Sequence, residues 1–201
     1  MVFTPPCDTV NSMKVLRQIL NLAVAAAFTL SALDVAAQPT AADGAKLDAL
    51  FAELQTADAT EAGRAEREIW RLWSHSGSAA MDLLLERGRK AMEQGDTEAA
   101  IDHFTALTDH APDFAEGWNA RATAWFHLGR YGQSVADIRR TLALEPRHFG
   151  AMAGFAAILE QLGRKDQALE VYRAALAIHP QMQSVRDAAQ RLESELAGQE
   201  L

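Results

Sequence analysis

Three prolines and three glycines recur along the chain at a fixed spacing of 34 residues. The prolines are Pro112, Pro146 and Pro180, and the glycines are Gly95, Gly129 and Gly163. Each glycine precedes its proline by 17 residues, so the two sets share one register. A period of this length indicates one supersecondary unit per repeat. The chain is therefore predicted to fold as a stack of similar units in which each unit contacts its neighbours.

Each period is predicted to contain two helices, one on either side of the glycine. Glycine can adopt the left-handed conformation that ends a helix, and proline cannot continue a helix interior. Asp96, directly after Gly95, is expected to cap the helix that follows. The small residues Gly88, Ala122 and Ala156 recur at the same place in the register and are expected to let the paired helices approach closely.

The recurring positions resemble the signature of the tetratricopeptide-repeat (TPR) family. That signature has a large apolar residue, a small residue and an aromatic before the glycine, then a small residue, an aromatic and a small residue before the proline. These positions are filled by Leu84, Gly88, Ala91, Gly95, Ala100, Phe104, Leu107 and Pro112; by Trp118, Ala122, Trp125, Gly129, Ser134, Ile138, Thr141 and Pro146; and by Met152, Ala156, Leu159, Gly163, Ala168, Tyr172, Ala175 and Pro180. The first set departs mildly, with Ala91 in an aromatic position and Leu107 in a small one.

The resemblance implies an all-α fold, a right-handed solenoid of TPR helical hairpins with terminal capping helices. The repeats are expected at residues 81–114, 115–148 and 149–180. Trp118 and Tyr172 are expected to fill the seams between layers. Residues 181–197 carry apolar side chains at helical spacing and a charged opposite face, which predicts a C-terminal capping helix.

Residues 46–80 are predicted to form a degenerate TPR-like capping hairpin. Shifting the register back by one period places Leu50 at the first apolar position and Trp70 at an aromatic one, but the small-residue and proline positions are not kept. Trp70 and Trp73 are expected to anchor the core of this hairpin, with an exposed docking site as the alternative.

The N-terminal segment has the residue order of a secretory signal peptide. A short positive region at 13–17 precedes an apolar run of 15 residues at 19–33, and small residues follow at 35–37. The run is shorter than the ~20 residues that a membrane-spanning helix needs. Residues 13–37 are therefore expected to be a signal peptide cleaved after Ala37, which places the mature chain in the periplasm or outside the cell. An uncleaved membrane anchor is the alternative.

Residues 1–12 fit no part of such a signal and are expected to be a mis-called extension, with Met13 as the natural start. The single cysteine, Cys7, lies in that stretch. The mature chain would then have no disulfide, thiol nucleophile or cysteine-based metal site. Residues 38–45 are expected to be a flexible lead-in.

Charge and motif content argue against nucleic-acid, metal and catalytic functions. The formal net charge is −8 without a basic block, whereas nucleic-acid binders usually carry a basic face. His103 and His110 are two helical turns apart, ~10 Å, too far to share one metal ion. His127 with Glu116 or Glu160 is the nearest approach to an acid–base pair, but no nucleophile accompanies it. The chain is predicted not to be an enzyme and to need no cofactor or metal.

The predicted function is that of a protein–protein interaction scaffold, because concave solenoid surfaces commonly bind a peptide or protein partner. The alternative is a self-associating structural component of an envelope assembly. The candidate partner-binding residues on the first helices are Leu85, Arg89, Met92, Glu116, Asn119, Thr123, Phe126, His127, Ala153, Ala157 and Glu160, with Asp82, Glu93, Gly150 and Gln161 beside them.

The resemblance also bears on the ligand, because some TPR domains clamp the acidic C-terminal tails of chaperones with cationic residues. The matching positions here hold Leu85, Arg89, Ala120, Gly150 and Gly154, of which only Arg89 is cationic. One arginine cannot offset the desolvation of a carboxylate pair. The groove is therefore expected to prefer a segment with apolar anchors and some positive charge.

Overall fold

The computed structural model describes residues 41–198, and the regular structure in that range is entirely helical. Nine helices follow one another there: α1 (Ala41–Thr56), α2 (Ala59–Trp73), α3 (Ala79–Glu93), α4 (Thr97–His110), α5 (Ala115–His127), α6 (Tyr131–Leu144), α7 (Phe149–Gln161), α8 (Lys165–Ile178) and α9 (Gln183–Ala197). The predicted extension at 1–12 and signal peptide at 13–37 lie outside the described residues. No helix between residues 41 and 198 is both long enough and apolar enough to cross a membrane.

Helices α3 to α8 form three consecutive hairpins, which correspond to the three predicted repeats. Helix α3 pairs with α4, α5 with α6, and α7 with α8. The hairpins stack through α4 on α5 and α6 on α7, and α9 packs against α8 at the C-terminal end. The all-α TPR solenoid predicted from the 34-residue period is therefore confirmed.

The glycine turns repeat with the same geometry in each hairpin. Gly95, Gly129 and Gly163 have φ angles of 78°, 69° and 73°, in the left-handed region. After Gly95, the N–H of Asp96 donates to the carbonyl of Ala91 at 2.9 Å, the bond expected of a Schellman turn. The Asp96 carboxylate then accepts from the N–H of Ala99 at 3.1 Å and caps α4, as the sequence predicts.

The hairpin cores bury equivalent positions in all three repeats. Gly88, Ala122 and Ala156 lie at the crossing of the paired helices, and all three are buried. In the first hairpin the approach is so close that a β-carbon at Gly88 would lie 2.2 Å from Cε1 of Phe104. Two of the recurring small positions carry hydroxyls, and both are satisfied in the core: Ser134 donates to the carbonyl of Ala122 at 2.8 Å, and Thr141 donates to the carbonyl of Asp137 at 3.1 Å.

Trp118 is more exposed than its predicted role in the seam requires. It is only partly buried, whereas Tyr172, in the third repeat, is 6% exposed. The indole N–H of Trp118 donates to the carbonyl of Pro112 at 3.0 Å, and the guanidinium of Arg121 lies 4.8 Å from the ring centroid. A tryptophan that is fixed by its indole N–H and covered on one face by an arginine buries less apolar surface than a fully enclosed ring.

The N-terminal hairpin, α1 with α2, takes a different place from that of a stacked repeat. The apolar side chains Leu50, Leu54 and Ile69 form one buried cluster with Phe149 at the start of α7. The side-chain amide of Gln55 donates to the carbonyls at the end of α8, including that of Ile178 at 2.7 Å. The hairpin therefore reaches across the repeat array to the third repeat, whereas a degenerate capping repeat would stack on α3.

The loop between α2 and α3 is held by hydrogen bonds from Ser76 to Asp82. Gly77 has a φ of 81°, and the carboxylate of Asp82 accepts from both the hydroxyl and the N–H of Ser76, at 2.6 and 2.7 Å. Burial opposes ionisation of Asp82, but these bonds and the adjacent His75 outweigh it and lower the pKa of the carboxyl. The prediction of a flexible lead-in at 38–45 is wrong from Ala41 onward, because helix α1 begins at that residue.

Candidate functional site

An open groove of about 560 Å³ lies between the first helices of the first two repeats, α3 and α5. It is lined by Trp70, Arg89, Met92, Glu93, Gly95, Thr97, Phe104, Glu116, Asn119, Ala120, Thr123 and His127. Six of the predicted partner-binding residues are therefore brought together: Arg89, Met92, Glu116, Asn119, Thr123 and His127. We call this surface the ligand groove.

The ligand groove has an exposed rim and a buried polar floor. Glu93, Thr123 and His127 are exposed. Glu116 and Asn119 are only 3% and 9% exposed, so they form the floor and offer little surface to a ligand.

Glu116 is fully engaged inside the fold. One carboxylate oxygen accepts from the guanidinium of Arg89 at 2.6 Å. The other accepts from the amide of Asn119 at 3.0 Å and lies 3.1 Å from Nε2 of His148. A buried carboxylate is tolerated when its oxygens are paired in this way. Arg89 also donates to the hydroxyl of Ser74 at 3.0 Å, so two of the five N–H donors of its guanidinium are engaged within the fold.

His148 links the ligand groove to the N-terminal hairpin. Its Nδ1 accepts from the N–H of Ala151 at 3.1 Å and so caps α7. The ring hydrogen therefore lies on Nε2 and is donated to Glu116. On its other side the imidazole stacks on the indole of Trp73, with centroids 4.1 Å apart and 9° between the planes. The hairpin, the third repeat and the floor of the groove thus meet at one buried histidine.

Trp70 was predicted as a core anchor, with an exposed docking site as the alternative; it is partly buried and forms one end of the ligand groove. Its ring is nearly perpendicular to that of Phe149, with centroids 5.7 Å apart. A β-carbon on Gly150 would lie 2.8 Å from Cη2 of Trp70. The third repeat has glycine at position 150, where the first two have Asp82 and Glu116. The missing side chain at position 150 is the feature of the sequence that could have indicated the place of Trp70. Only the structure shows that Trp70 fills the space it leaves.

The remaining predicted residues are not part of this groove. Phe126 lines a smaller cavity of about 90 Å³ between α5 and α7. Leu85 is 2% exposed in the core of the first hairpin. Ala153 packs against the core formed by α8 and α9, and Ala157 is partly buried on the same helix, α7.

Glu160, also predicted for the groove, is held at the other end of α7. Its carboxylate accepts from Arg191 of α9 at 2.7 Å and from the hydroxyl of Tyr172 at 3.4 Å. Burial of the ring, together with this carboxylate, raises the pKa of Tyr172 to about 12. Glu160 therefore fastens the capping helix and leaves the concave surface of the third repeat without a free carboxylate at this position.

The histidines considered for metal binding lie on α4. His103 is partly buried and His110 is exposed. Across the described range 41–198, no group of three or more His, Cys, Asp or Glu side chains is arranged to hold a metal ion.

The stacked helical hairpins and the open concave groove define a helical-repeat protein of the class that presents a concave surface to other molecules. A sequence profile of the tetratricopeptide repeat matches residues 85–137 and 128–183. A TPR repeat-containing protein of Rhizobium etli is 38% identical over 154 residues, which is 76% of this chain and 76% of that protein. The chain belongs to the tetratricopeptide-repeat family.

Two more distant matches each cover a smaller share of this chain. The small glutamine-rich tetratricopeptide repeat-containing protein 2 of Saccharomyces cerevisiae is 34% identical over 101 residues, 49% of this chain but only 28% of the yeast protein. The first TPR domain of Spaghetti (RPAP3), solved bound to the HSP90 peptide SRMEEVD, superposes with a TM-score of 0.56 and 25% identity. That likeness covers 58% of this chain and 93% of the domain.

Proposed function

We propose that this protein is a non-catalytic interaction scaffold that binds a peptide or a segment of a protein partner in the ligand groove. The observation that carries the proposal is the open groove of about 560 Å³ between α3 and α5. Two side chains on its rim, Glu93 and His127, are exposed and make no hydrogen bond or ion pair with other residues in the range 41–198. A solved TPR domain with this fold holds a peptide, which supports the same mode of binding here.

The charges around the groove favour a ligand with some positive charge. Arg89 is paired with Glu116, so the pair has little net charge to offer. Glu93 is exposed on the same groove, and Met92 and Trp70 supply apolar contacts. An extended segment with one apolar anchor and one basic side chain fits this surface better than an acidic tail, whose carboxylates would have to compete with Glu116 for Arg89.

The side chains of the groove also argue for binding without catalysis. Thr123 and His127 lie one turn apart on α5, a spacing that resembles a nucleophile beside a base. The hydroxyl of Thr123 donates to the carbonyl of Asn119 at 3.1 Å, within its own helix. Its hydrogen is therefore not directed at the imidazole, and general-base activation is not set up.

A displayed library of random peptides tests the groove directly. Peptides selected on the purified protein are expected to bind at least about tenfold more weakly to the Thr123→Arg variant, because the longer side chain obstructs the groove. The matched control is Gln133→Arg, the same charge change at an exposed position on α6. Selected peptides that bind both variants as tightly as the parent protein would place binding elsewhere.

The charge preference has its own test in the same assay. Basic peptides are expected to lose affinity for Glu93→Lys and to keep it for Glu86→Lys, which reverses a charge at another exposed position of α3. Acidic tail peptides that bind the parent protein and are lost on Arg89→Ala would contradict the proposed ligand. Growth of the oligomer with protein concentration, without peptide binding, would support the alternative of a self-associating envelope component.

The proposed site of action is the periplasm or the extracellular space. This part of the proposal depends on the signal-peptide order at residues 13–37 alone. The intact mass of the protein recovered from its native host checks it, and a chain beginning at Gln38 is the expected product. A species that retains residues 14–37 would contradict cleavage and favour a membrane-anchored form.

A further inference from the structure

A second, smaller cavity adjoins the ligand groove along α5. Its volume is about 90 Å³, and it lies between α5, α6 and α7. Asn119 and Thr123 of α5 line both spaces, so a ligand in the groove lies beside the mouth of the cavity. We call this space the anchor cavity; its apolar walls are Ala122, Phe126, Ile138, Gly150, Ala151 and Gly154.

The hydroxyl groups that line the anchor cavity are already engaged within the fold. Ser134 donates to the carbonyl of Ala122 at 2.8 Å, and Thr123 donates to the carbonyl of Asn119 at 3.1 Å. A water molecule is held firmly only where several polar groups bond to it, so water is poorly held in this space. An apolar group that replaces such water gains affinity. The cavity therefore favours an apolar side chain as its occupant.

Asn119 leaves one acceptor at the boundary of the anchor cavity and the ligand groove. The residue is 9% exposed, and its Nδ2 donates to the carboxylate of Glu116 at 3.0 Å. Because an ionised carboxylate only accepts, this bond fixes the orientation of the amide. Its Oδ1 accepts no hydrogen bond from residues 41–198 and is not among the side-chain atoms of that range that are buried without a partner. The oxygen is therefore open to a ligand that enters from the groove or the cavity.

Gly154 keeps the anchor cavity open, and the packing of the repeats does not require a glycine there. It lies inside α7, where glycine is less favourable than alanine. Gly150, one turn earlier, has a packing reason, because a β-carbon there would lie 2.8 Å from Trp70. At Gly154 the nearest atom to an added β-carbon is Cδ1 of Ile138, at an ordinary contact distance of 4.0 Å. What the missing side chain leaves is the space of the cavity.

The size of the anchor cavity limits the side chain that it can take. A cavity of about 150 Å³ holds benzene, which has six carbon atoms. By the same ratio, a cavity of about 90 Å³ holds about three or four carbon atoms. The side chains of valine, leucine and isoleucine have this size, whereas a phenylalanine or tryptophan ring exceeds it. The cavity therefore selects a branched aliphatic residue.

We propose that a peptide bound in the ligand groove inserts a branched aliphatic side chain into the anchor cavity and donates a backbone N–H, at or next to that residue, to Oδ1 of Asn119. Gly154 is the residue that determines this specificity. The inference rests on the proposed function and identifies the apolar anchor of its ligand. The basic side chain of the same ligand pairs with Glu93, which lines the groove but not the anchor cavity.

The experiment uses the full chain and the peptides selected on it from the displayed library. Alanine scanning of each peptide locates the anchor, which is expected to be valine, leucine or isoleucine. Replacing a leucine anchor by alanine withdraws three carbon atoms and is expected to weaken binding at least about tenfold. Replacing it by tryptophan is expected to weaken binding at least about tenfold as well, because the ring does not fit.

A substitution at Gly154 assigns the anchor to this cavity. Gly154→Leu fills the space from the protein side, so the leucine and alanine peptides are expected to bind that variant within about twofold of each other. The matched control is Gly132→Leu, at an exposed glycine of α6 with no atom near its added β-carbon, which is expected to keep the full difference. Circular dichroism and thermal melts check that both variants are folded.

Gly154→Ala gives a second measurement that does not depend on a large substitution. It adds one carbon atom to the wall of the cavity and is expected to weaken the leucine peptide by about fourfold. The same variant is expected to be more stable than the parent protein, because alanine is the better helix former. Weaker binding by a more stable protein cannot be attributed to partial unfolding.

N-methylated peptides test the role of Asn119 without altering the protein. Methylation of one backbone nitrogen at or next to the anchor is expected to weaken binding at least about threefold, because that N–H no longer reaches Oδ1. Methylation at positions away from the anchor is the control and is expected to have a smaller effect. Equal effects at all positions would show that Asn119 does not accept from the ligand.

The two proposals fail in different ways. Peptides that lose affinity for Glu93→Lys, but distinguish leucine from alanine equally on the parent and Gly154→Leu proteins, would overturn this inference and leave the proposed function standing. An aromatic residue at the anchor of the selected peptides would overturn it too. Peptides that bind Glu93→Lys and Thr123→Arg as tightly as the parent protein would contradict the proposed function, and this inference with it.

Discussion

The indole of Trp73 and the imidazole of His148 are stacked, with ring centroids 4.1 Å apart and planes 9° from parallel. The two residues lie 75 positions apart in the chain. Their contact joins the N-terminal hairpin to the third repeat, and the same imidazole donates to Glu116 at the floor of the ligand groove. The position of the hairpin and the arrangement of the groove are therefore physically connected.

Truncating Trp73 is expected to release the hairpin. Trp73→Ala removes the ring that covers His148, and loss of a buried aromatic typically costs about 3–5 kcal/mol. Backbone amides of α1 and α2 are then expected to exchange hydrogen faster, while those of α5 to α8 keep their protection. Hydrogen exchange followed by mass spectrometry measures this. Trp118→Ala is the control, because Trp118 does not contact the hairpin; equal exchange in α1 and α2 for both variants would count against the docking described here.

Two glycines of α7 are expected to respond oppositely to alanine. A methyl at Gly154 has no atom closer than 4.0 Å, the distance to Cδ1 of Ile138. Gly154→Ala should therefore stabilise the helix by about 0.5–1 kcal/mol. A methyl at Gly150 would lie 2.8 Å from Trp70, whose ring packs edge-on against Trp73 and Phe149. Gly150→Ala should cost about 1–3 kcal/mol, measured by urea unfolding. A stabilised Gly150→Ala variant would show that Trp70 does not occupy this space.

The contact between Gly88 and Phe104 predicts a destabilising substitution with a specific rescue. Gly88→Ala places a methyl 2.2 Å from the ring of Phe104 in a buried core, and overpacking of this kind costs about 1–3 kcal/mol or more. Adding Phe104→Leu removes the clashing ring atoms. The double variant is expected to be less destabilised than the sum of the two single variants, a non-additivity that denaturation of all four proteins would reveal. Strict additivity would mean that the two residues do not meet.

Tyr172 predicts a loss of stability at alkaline pH. Its pKa is raised to about 12 in the fold by burial and by Glu160, against about 10 in the unfolded chain. Folding therefore favours the neutral phenol. Its contribution to the free energy of unfolding is fully present below pH 10 and is lost as the pH rises through 12. The loss amounts to roughly 2–3 kcal/mol between those limits. Tyr172→Phe should show a shallower decline over the same range. Parallel stability curves for the two proteins would contradict the raised pKa.

The repeat register in the sequence is sufficient to predict the helices of the array, without any tertiary contact. Glycine and proline act on the backbone of their own neighbours, so Gly95, Gly129 and Gly163 specify turns wherever the units are placed. The small residues Gly88, Ala122 and Ala156 are buried in each hairpin for the same reason, since each repeat packs on a similar neighbour.

The candidate site followed from the sequence only in part. The register brought Arg89, Thr123 and His127 to one concave surface. It carried no information on how their charges would pair, because the partner of Arg89 is Glu116, on another helix 27 positions away. Local spacing on one helix cannot show that such a cation is already neutralised.

The tertiary structure alone decided where the N-terminal hairpin lies. Its amphipathic pattern predicts that Ile69 and Trp73 are buried. The pattern does not specify which apolar surface of the protein buries them. Shape selects that surface: Gly150 leaves room for Trp70, and His148 presents a flat ring to Trp73. Both features arise from residues that are distant in sequence and become neighbours only after the repeats have stacked, so no local pattern could specify them.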